Sequence, residues 1–162
     1  MRPPPAKDIH TREYRRISQI DAKNWDRLAG QSPLASRGWL QTVESTFAGK
    51  VEPHYLTVEN STGRVLGAAV CYIAGKGPIV GDFDHVALGR LKPVAHKMAI
   101  SFMPLMVCCP LYAYGRHILV EEGMDAPYAR GVTRILLDKI ESLARSSGLS
   151  LVFPNVTQMS TG

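Results

Sequence analysis

Residues 53–74 have the sequence PHYLTVENSTGRVLGAAVCYIA. Two runs rich in β-branched and aromatic residues flank the turn-forming residues 60–63, and this pattern predicts a β-hairpin. A strand that is apolar on both faces lies inside a sheet, with helices above and below it. Gly67 within the second run indicates a bulge or a close backbone approach. The second run has two apolar faces, made by Val65, Ala69, Cys71 and Ile73 on one side and by Leu66, Ala68, Val70 and Tyr72 on the other.

Patterns on either side of the hairpin predict the helices that cover this sheet. Asp21 and Ser36 are predicted N-caps of two short helices, each with an apolar face and a glycine near its end. Over residues 128–146 the apolar positions keep the spacing of one helical stripe, which predicts a long amphipathic helix. An apolar run follows at residues 149–153 and indicates a crossover that returns the last strand beside the hairpin.

Weaker patterns predict the remaining elements. We predict a first strand over residues 13–20, two further strands over 105–109 and 116–121, and a short helix over 93–102. Residues 75–92 are rich in glycine and aspartate, and we predict a long functional loop there. The fold class that follows is α/β (α+β), a mixed sheet with a central antiparallel hairpin and helices on both faces.

The chain of 162 residues is long enough for one domain with a sizeable core. We expect residues 1–12, which are basic and rich in proline, to form a disordered leader, and residues 13–162 to form a single domain. The first sixteen residues contain five basic and two acidic side chains, so they supply most of the net charge of +5. A basic leader is typical of a solvated chain end and is weak evidence for nucleic-acid binding.

The cysteines and the apolar stretches bear on the compartment. The three cysteines lie in apolar runs without the paired spacing of a zinc site, and free buried thiols are typical of a reducing cytoplasm. Residues 1–7 lack the apolar core of a signal peptide. Residues 98–115 carry no charge, but Pro104 and Pro110 would interrupt a spanning helix. We therefore predict a cytoplasmic protein with no membrane span and no bound metal.

Four segments carry a resemblance to a known family. They are WDRL at 25–28, SPLAS at 32–36 followed by Trp39, Leu40 and Glu44, the loop around Asp82-Phe83-Asp84, and PL at 110–111 with GRHIL at 115–119. In this order the segments resemble FemAB-like proteins, the peptidoglycan biosynthesis or recognition family with a GNAT-type acyltransferase fold. The resemblance covers most of residues 17–157.

The resemblance implies an activity and its partners. It implies amide formation, in which an aminoacyl or acyl group passes from aminoacyl-tRNA or acyl-CoA to a small-molecule or peptide amine in cell-wall or specialised-metabolite biosynthesis. Such proteins are usually longer, so we expect this chain to be truncated at its C-terminus or to be one half, completed by a second GNAT-like half or a homodimer. Two alternatives stay open: a non-catalytic binding module with a degenerate donor site, and an acetyl-CoA-dependent N-acetyltransferase.

Amine attack on an activated carbonyl needs a general base with a pKa near neutral. The loop around Asp82 brings carboxylates and an imidazole together in sequence, so we predict Asp84 and His85 as catalytic residues and Asp82 as a substrate-binding residue. The alternative is an Asx-type turn with solvent-facing side chains. Arg116 and His117 begin a predicted strand and are candidates for orienting a substrate carboxylate or phosphate, although Arg116 also suits a strand-end charge.

The long helix offers a candidate donor site. A classical acetyltransferase binds the CoA pyrophosphate at a helix N-terminus, where free N–H groups and the helix dipole favour anions. The best local match is YARGVT at residues 128–133, in which only Gly131 fits the family pattern. Arg130 and Arg134 are candidates for pairing with phosphate, and with Gly131 they form the predicted cofactor-binding set. The alternative is that Gly131 lets the helix pack closely while both arginines are solvated.

Overall fold

The computed structural model of the chain describes residues 9–30, 32–75, 83–109 and 118–154. The helices are α1 (Ala22–Ala29), α2 (Arg37–Thr46), α3 (Phe83–Leu88), α4 (Lys92–Lys97) and α5 (Ala126–Ser146). The strands are β1 (Ile9–Tyr14), β2 (Val51–Asn60), β3 (Val65–Ala74), β4 (Leu105–Cys108), β5 (Ile118–Val120) and β6 (Ser150–Val152).

The described strands form one sheet with the hairpin in its interior. Their order is β1-β2-β3-β4-β6, and β5 also pairs with β3. The pairs are antiparallel except for β4 with β6, which are parallel. Because β4 pairs with residues 71–74 and β5 with residues 67–69, these two short strands follow one another along β3. The predicted fold class is confirmed, but β6 returns beside β4 and not beside the hairpin itself.

Asn60 fixes the turn of the hairpin. Its side-chain Oδ1 accepts the backbone N–H of Thr62 at 3.1 Å and that of Arg64 at 2.9 Å. Gly63 has a φ of +78°, a left-handed conformation in which a side chain would be strained. The predicted hairpin is confirmed at the residues that the sequence indicated.

A β-bulge interrupts the alternation of β3. The register of β2 and β3 shifts next to Gly67 and leaves Leu66 as the extra residue. Because the alternation restarts after the bulge, Val65 packs on the same face as Ala68, whereas the sequence pattern placed it with Ala69.

Gly67 also marks a close approach of α5 to the sheet. A Cβ added here would lie 2.6 Å from Cγ1 of Val132 and 3.1 Å from the backbone oxygen of Leu119. Only a residue without a side chain fits this contact. The sequence indicated a bulge or a close approach at Gly67, and the structure has both.

Helices cover both faces of the sheet, as predicted. On one face, α1 and α2 contribute a core that includes Trp25, Leu28, Leu40 and Val43. On the opposite face, α5 packs its apolar stripe, Val132, Leu136, Ile140 and Ala144, against β2, β3 and β4. Asp21 and Ser36 accept the backbone N–H of Asn24 and Trp39, so both predicted N-caps are confirmed.

The first strand begins earlier than the sequence suggested. β1 pairs with β2 along its whole length, so residues 9–12, which we expected in the leader, belong to the sheet. The strand predicted over residues 13–20 is therefore wrong beyond Tyr14, and a 3-10 turn follows at Ile17–Gln19. Ile17 and Ile20 are buried in the core under α1 and α2, which explains their apolar spacing.

The predicted loop over residues 75–92 is wrong over the part that the structure describes. Residues 83–97 form α3, a 3-10 turn at Gly89–Leu91 and α4. We call residues 83–104 the insertion, since they lie between the neighbouring strands β3 and β4. Phe83 and Met103 of the insertion pack on Leu105 and Val107. These strand residues face away from α5, so the insertion covers the sheet on the face of α1 and α2.

Candidate functional site

The insertion is organised around the carboxylate of Asp84. Its Oδ2 accepts the hydroxyl of Ser101 at 2.6 Å, and its Oδ1 accepts the backbone N–H of Phe102 at 2.7 Å. The imidazole Nε2 of His96 lies 3.1 Å from the same Oδ2. The Asp84 side chain is 5% exposed, whereas that of His96 is 41% exposed. The structure therefore places a buried carboxylate behind an accessible imidazole.

Local backbone geometry holds these groups together. Ile100 donates its backbone N–H to Ala95 at 2.8 Å and Ala99 donates to His96 at 3.1 Å, which is the Schellman pattern at the end of α4. Ala99 adopts a φ of +56° in the position where glycine is usual. This turn reverses the chain, so that Ser101 and the residue after it reach Asp84.

The hydrogen bonds decide what Asp84 can do chemically. The Ser101 hydroxyl, the Phe102 N–H and then His96 all favour the charged carboxylate, and together they lower the pKa of Asp84 although burial opposes them. A carboxylate of low pKa is a poor proton acceptor at neutral pH. Asp84 is therefore suited to orienting the His96 ring through Nε2, and the accessible imidazole is suited to exchanging the proton.

Of the other residues predicted around this loop, one is described. His85 lies on α3 next to Asp84 and is exposed. Asp82, Arg116 and His117 lie outside the described residues. The alternative interpretation of Asp84 as part of a solvent-facing Asx turn is wrong, because its carboxylate is buried and accepts hydrogen bonds from distant parts of the insertion.

The predicted cofactor-binding set lies elsewhere. Arg130, Gly131 and Arg134 are exposed on α5, which packs on the face opposite the insertion. α5 begins at Ala126, so these residues belong to its second and third turns and not to its N-terminus. A Cβ on Gly131 would meet no atom within 4 Å, so the idea that this glycine allows close packing is wrong. The structure does not bring the cofactor-binding candidates to Asp84.

The actual start of α5 has features unfavourable to a phosphate. Pro127 in the first turn carries no N–H to donate, and Asp125 at the N-cap places a carboxylate there. Glu121 also lies close, since its charge, after burial, raises the pKa of Tyr128 in the first turn. Two carboxylates beside the helix start oppose the binding of an anion that the dipole would otherwise favour.

The three cysteines are free and buried. Cys71 lies opposite Cys108 in the register of β3 and β4. The hydrogen bond between Cys71 and Cys108, followed by burial, raises the pKa of Cys71, and burial raises the pKa of Cys109 to about 12. Thiols held in the neutral form are poor nucleophiles, which agrees with their predicted role as small core residues.

A second buried histidine, His54, lies on the α5 face of β2. Its Nδ1 lies 2.9 Å from Oε1 of Glu13, and its Nε2 lies 2.8 Å from Nη1 of Arg15. In the tautomer with the proton on Nδ1, the imidazole donates to Glu13 and accepts from Arg15. Both ring nitrogens are occupied in this way, so His54 is held in the sheet and is unavailable to a substrate.

Glu59 is a buried carboxylate on the opposite face, near the hairpin turn. It accepts the hydroxyls of Tyr14 at 2.9 Å and Thr57 at 2.8 Å, and Nε of Arg12 lies 3.3 Å away. This group ties β1 to β2 through its side chains. Since hydroxyl donors and a cation surround it, Glu59 serves as an internal anchor of the edge strand.

His96 and Ser101 are the site residues that sequence reasoning missed. Their partner Asp84 is 12 residues before His96 and 17 before Ser101, separations that correspond to no helix or strand period. The available signal was weak: a polar serine and histidine within an otherwise apolar and basic stretch.

Within residues 9–30, 32–75, 83–109 and 118–154, no group of three or more His, Cys, Asp or Glu side chains is placed to hold a metal ion. In the same residues no helix combines the length and apolar character needed to cross a bilayer.

Comparison with known proteins gives one match. A family model named FemAB-like, described as peptidoglycan biosynthesis/recognition, matches residues 16–161. The match includes the hairpin, the insertion and α5. No curated protein and no solved structure matches the chain.

Proposed function

Because this chain belongs to the FemAB-like family of peptidoglycan biosynthesis/recognition proteins, we propose that it forms amides on a GNAT-like fold, by transferring an aminoacyl or acyl group to an amine. The acceptor is the amine of a small molecule or peptide of the cell wall or of a specialised metabolite. The compartment that fits free, buried cysteines is the cytoplasm.

The observation that carries this proposal is the pair formed by His96 and Asp84. An accessible imidazole whose Nε2 lies 3.1 Å from a buried carboxylate oxygen is the arrangement that general-base catalysis uses. The carboxylate fixes the ring and the tautomer, and it stabilises the imidazolium that forms. Nδ1 of His96 is then the nitrogen that accepts a proton.

In the proposed reaction the acceptor nitrogen bonds to the acyl carbon of the donor, and His96 takes the proton that this nitrogen loses. The tetrahedral intermediate then breaks its bond to the donor oxygen or sulfur, and the imidazolium returns the proton to that leaving group. No covalent enzyme intermediate is required. Ser101 and the backbone of Phe102 act on His96 through Asp84, by holding its carboxylate in place.

The donor that best suits the structure is an aminoacyl-tRNA. A donor of the CoA type would need a diphosphate site, and the start of α5 combines Pro127 with the carboxylates of Asp125 and Glu121. These features oppose a bound pyrophosphate. They count against the alternative of an acetyl-CoA-dependent N-acetyltransferase that uses Arg130, Gly131 and Arg134.

The test is a transfer assay with alanyl-tRNA as donor and a peptide bearing a free lysine amine as acceptor. We expect the variants His96→Gln and Asp84→Asn to lower turnover by about 100-fold or more, the usual loss on removing a general base or its orienting group. The far-UV circular dichroism of both variants should match that of the wild type, so that the loss of turnover is not due to unfolding. His85→Gln, an exposed change on the neighbouring helix, is the matched control.

Unchanged turnover in His96→Gln would reject the assigned base. If His85→Gln loses as much turnover as His96→Gln, the assignment of His96 over His85 is rejected. The role of general base would then go to His85, the residue predicted from the sequence. Transfer from acetyl-CoA at the rate found with alanyl-tRNA would reject the preferred donor.

A second candidate function is peptidoglycan recognition without catalysis. The same acidic start of α5 favours it, because a protein without a donor site can still bind the acceptor. Thermal unfolding separates the two functions, since a ligand that binds only the native state raises the melting temperature. Stabilisation by the acceptor peptide, with neither alanyl-tRNA nor acetyl-CoA giving turnover, would establish the recognition module.

A further inference from the structure

Phe102 places a partly exposed aromatic residue beside the pair formed by His96 and Asp84. It is 36% exposed. Its backbone N–H donates to Oδ1 of Asp84 at 2.7 Å, while Nε2 of His96 lies 3.1 Å from Oδ2 of the same carboxylate. The carboxylate group of Asp84 is thus the link between the Phe102 backbone and the imidazole. Because the main chain of Phe102 makes this contact, its ring can change without removing the bond that holds Asp84.

A second aromatic ring holds the ring of Phe102 in place. The rings of Phe83 and Phe102 meet edge to face, with centroids 6.2 Å apart and planes at 89°. Phe83 in turn packs on Leu105 and Val107 of the sheet, so the aromatic pair is anchored to the core. In an edge-to-face pair each ring keeps at least one face that its partner does not cover. Phe102 therefore combines a supported ring with a face that Phe83 leaves open.

The donor proposed above, an aminoacyl-tRNA, carries a planar ring close to its reacting carbon. Its acyl group is an ester of the ribose of the terminal adenosine, so a single sugar separates the adenine from the carbonyl carbon. The terminal nucleotides of a tRNA are single-stranded, and single-stranded bases commonly stack on aromatic side chains of the proteins that bind them. A carbonyl placed at the amine that His96 deprotonates brings the adenine to the neighbouring surface, where Phe102 lies.

The competing occupant of this surface is an alkyl chain of the acceptor. An alkyl chain gains about as much from an aliphatic side chain as from an aromatic one, because its burial depends on apolar area. Ile100, which is 45% exposed on the same segment, would serve it as well as Phe102 does. An aromatic ring held by a second ring gives its largest advantage to a flat partner. The support from Phe83 therefore favours the nucleobase.

We propose that Phe102 binds the donor by stacking on the adenine of its terminal nucleotide. This inference rests on the proposed function, because it names a contact of the donor in the same site. The adenine takes no part in the bond changes, so the stacking contact is the same in the bound donor and in the transition state. Removing such a contact raises the KM for the donor and leaves kcat unchanged. Phe102 is thus a donor-binding residue, whereas His96 acts on the reacting atoms.

The test has two readouts on the full chain: calorimetric binding of the stable amide analogue of alanyl-adenosine, and KM and kcat with alanyl-tRNA. Phe102→Leu keeps an apolar side chain and the backbone N–H but removes the ring. We expect it to weaken binding of the analogue and to raise the KM for alanyl-tRNA by about tenfold, as for the loss of one stacked base, with kcat unchanged. Phe102→Trp should retain the wild-type affinity, because it supplies another flat ring. Ile100→Ala, which removes an exposed aliphatic side chain from the same segment, is the matched control and should also bind like the wild type.

Binding of the analogue does not depend on transfer, so the two readouts separate this inference from the proposed function. If the analogue binds through Phe102 and no transfer occurs, the stacking contact is supported and the proposed function fails. If the wild-type chain does not bind the analogue, or if Phe102→Leu binds it as tightly as the wild type, the inference is overturned even where transfer is observed. An equal loss of affinity in Ile100→Ala would also overturn it. A raised KM for the acceptor peptide with an unchanged KM for alanyl-tRNA would assign Phe102 to the acceptor instead.

Discussion

Burial of His54 has a consequence that reaches the stability of the whole chain. Burial, and then the charge of Arg15, lowers the pKa of this imidazole, while Glu13 opposes the shift. The folded pKa lies below the unfolded one, so the unfolded chain binds more protons once the pH drops below the ordinary histidine value of about 6.5. The stability that depends on the neutral imidazole should therefore be fully present above that pH. The free energy of unfolding should decrease as the pH falls below it.

Urea unfolding at pH 7.5 and pH 5.5 measures this prediction. We expect the wild-type chain to lose stability at the lower pH and His54→Gln to lose less, because glutamine does not titrate. If His54→Gln and the wild type show the same pH dependence, the buried neutral imidazole is not its source.

Single residues also show where sequence reasoning stops. Asp84 stood out in the sequence because aspartate and histidine are neighbours there, but its real partners are His96 and Ser101. Those contacts depend on the left-handed conformation of Ala99, a residue with no preference for it. A turn that depends on an alanine gives no sequence signal. The hairpin turn was predictable, because asparagine and glycine, here Asn60 and Gly63, are typical turn residues.

Among the elements, the contact between α5 and β3 depends on Gly67. A Cβ there would overlap Val132 at 2.6 Å and press on backbone at Leu119, which has little freedom to move. We expect Gly67→Ala to lower the free energy of unfolding by about 1–3 kcal/mol through overpacking. The measurement is the urea midpoint of the variant against that of the wild type.

Gly131→Ala is the matched control for this change. It introduces the same methyl group on an exposed helical position with open space around it, so it should raise stability by up to about 1 kcal/mol through helix propensity. The double variant Gly67→Ala with Val132→Ala should recover part of the loss. If Gly67→Ala left the free energy of unfolding unchanged, or if the double variant recovered none of the lost stability, α5 would be able to shift freely on the sheet.

Elements with strong periodicity or explicit caps were predictable from the sequence. α5 and the hairpin have long patterns, and α1 starts at the aspartate expected to cap it. β1 and α3 were misplaced for different reasons. β1 is an edge strand whose polar side chains pair with Glu59, so it lacks the apolar alternation of a strand. α3 is six residues long, too short for a helical period to appear, whereas α4 overlaps the helix predicted over residues 93–102.

At the scale of the whole molecule, one sheet separates two helical layers. α1 and α2 pack on one face and α5 on the other, so the strands lie between the two apolar cores. The insertion with Asp84 and His96 covers the same face as α1 and α2, over β4. The sequence could indicate that helices lie on both faces, but not which face each occupies, because β3 is apolar on both sides.

This architecture predicts one cooperative unfolding transition. Every strand that supports α1 and α2 also supports α5, so neither layer retains a folded surface when the other is lost. The two layers can be followed separately, because Trp25 and Trp39 both lie in the layer of α1 and α2, while α5 is the longest described helix. We expect tryptophan fluorescence and the far-UV circular dichroism of the helices to give coincident urea transitions.

Substitutions in the two cores test the same coupling. Leu40→Ala, in the layer of α1 and α2, should cost about 2–5 kcal/mol, and Ile140→Val, in the α5 layer, about 0.5–1.5 kcal/mol. Because the side chains belong to separate cores, their costs should add within about 0.5 kcal/mol in the double variant. Each variant should shift both spectroscopic transitions equally. If Leu40→Ala shifted the fluorescence transition but not the circular dichroism transition, the two layers would unfold independently. The sheet would then remain folded with the α5 layer alone.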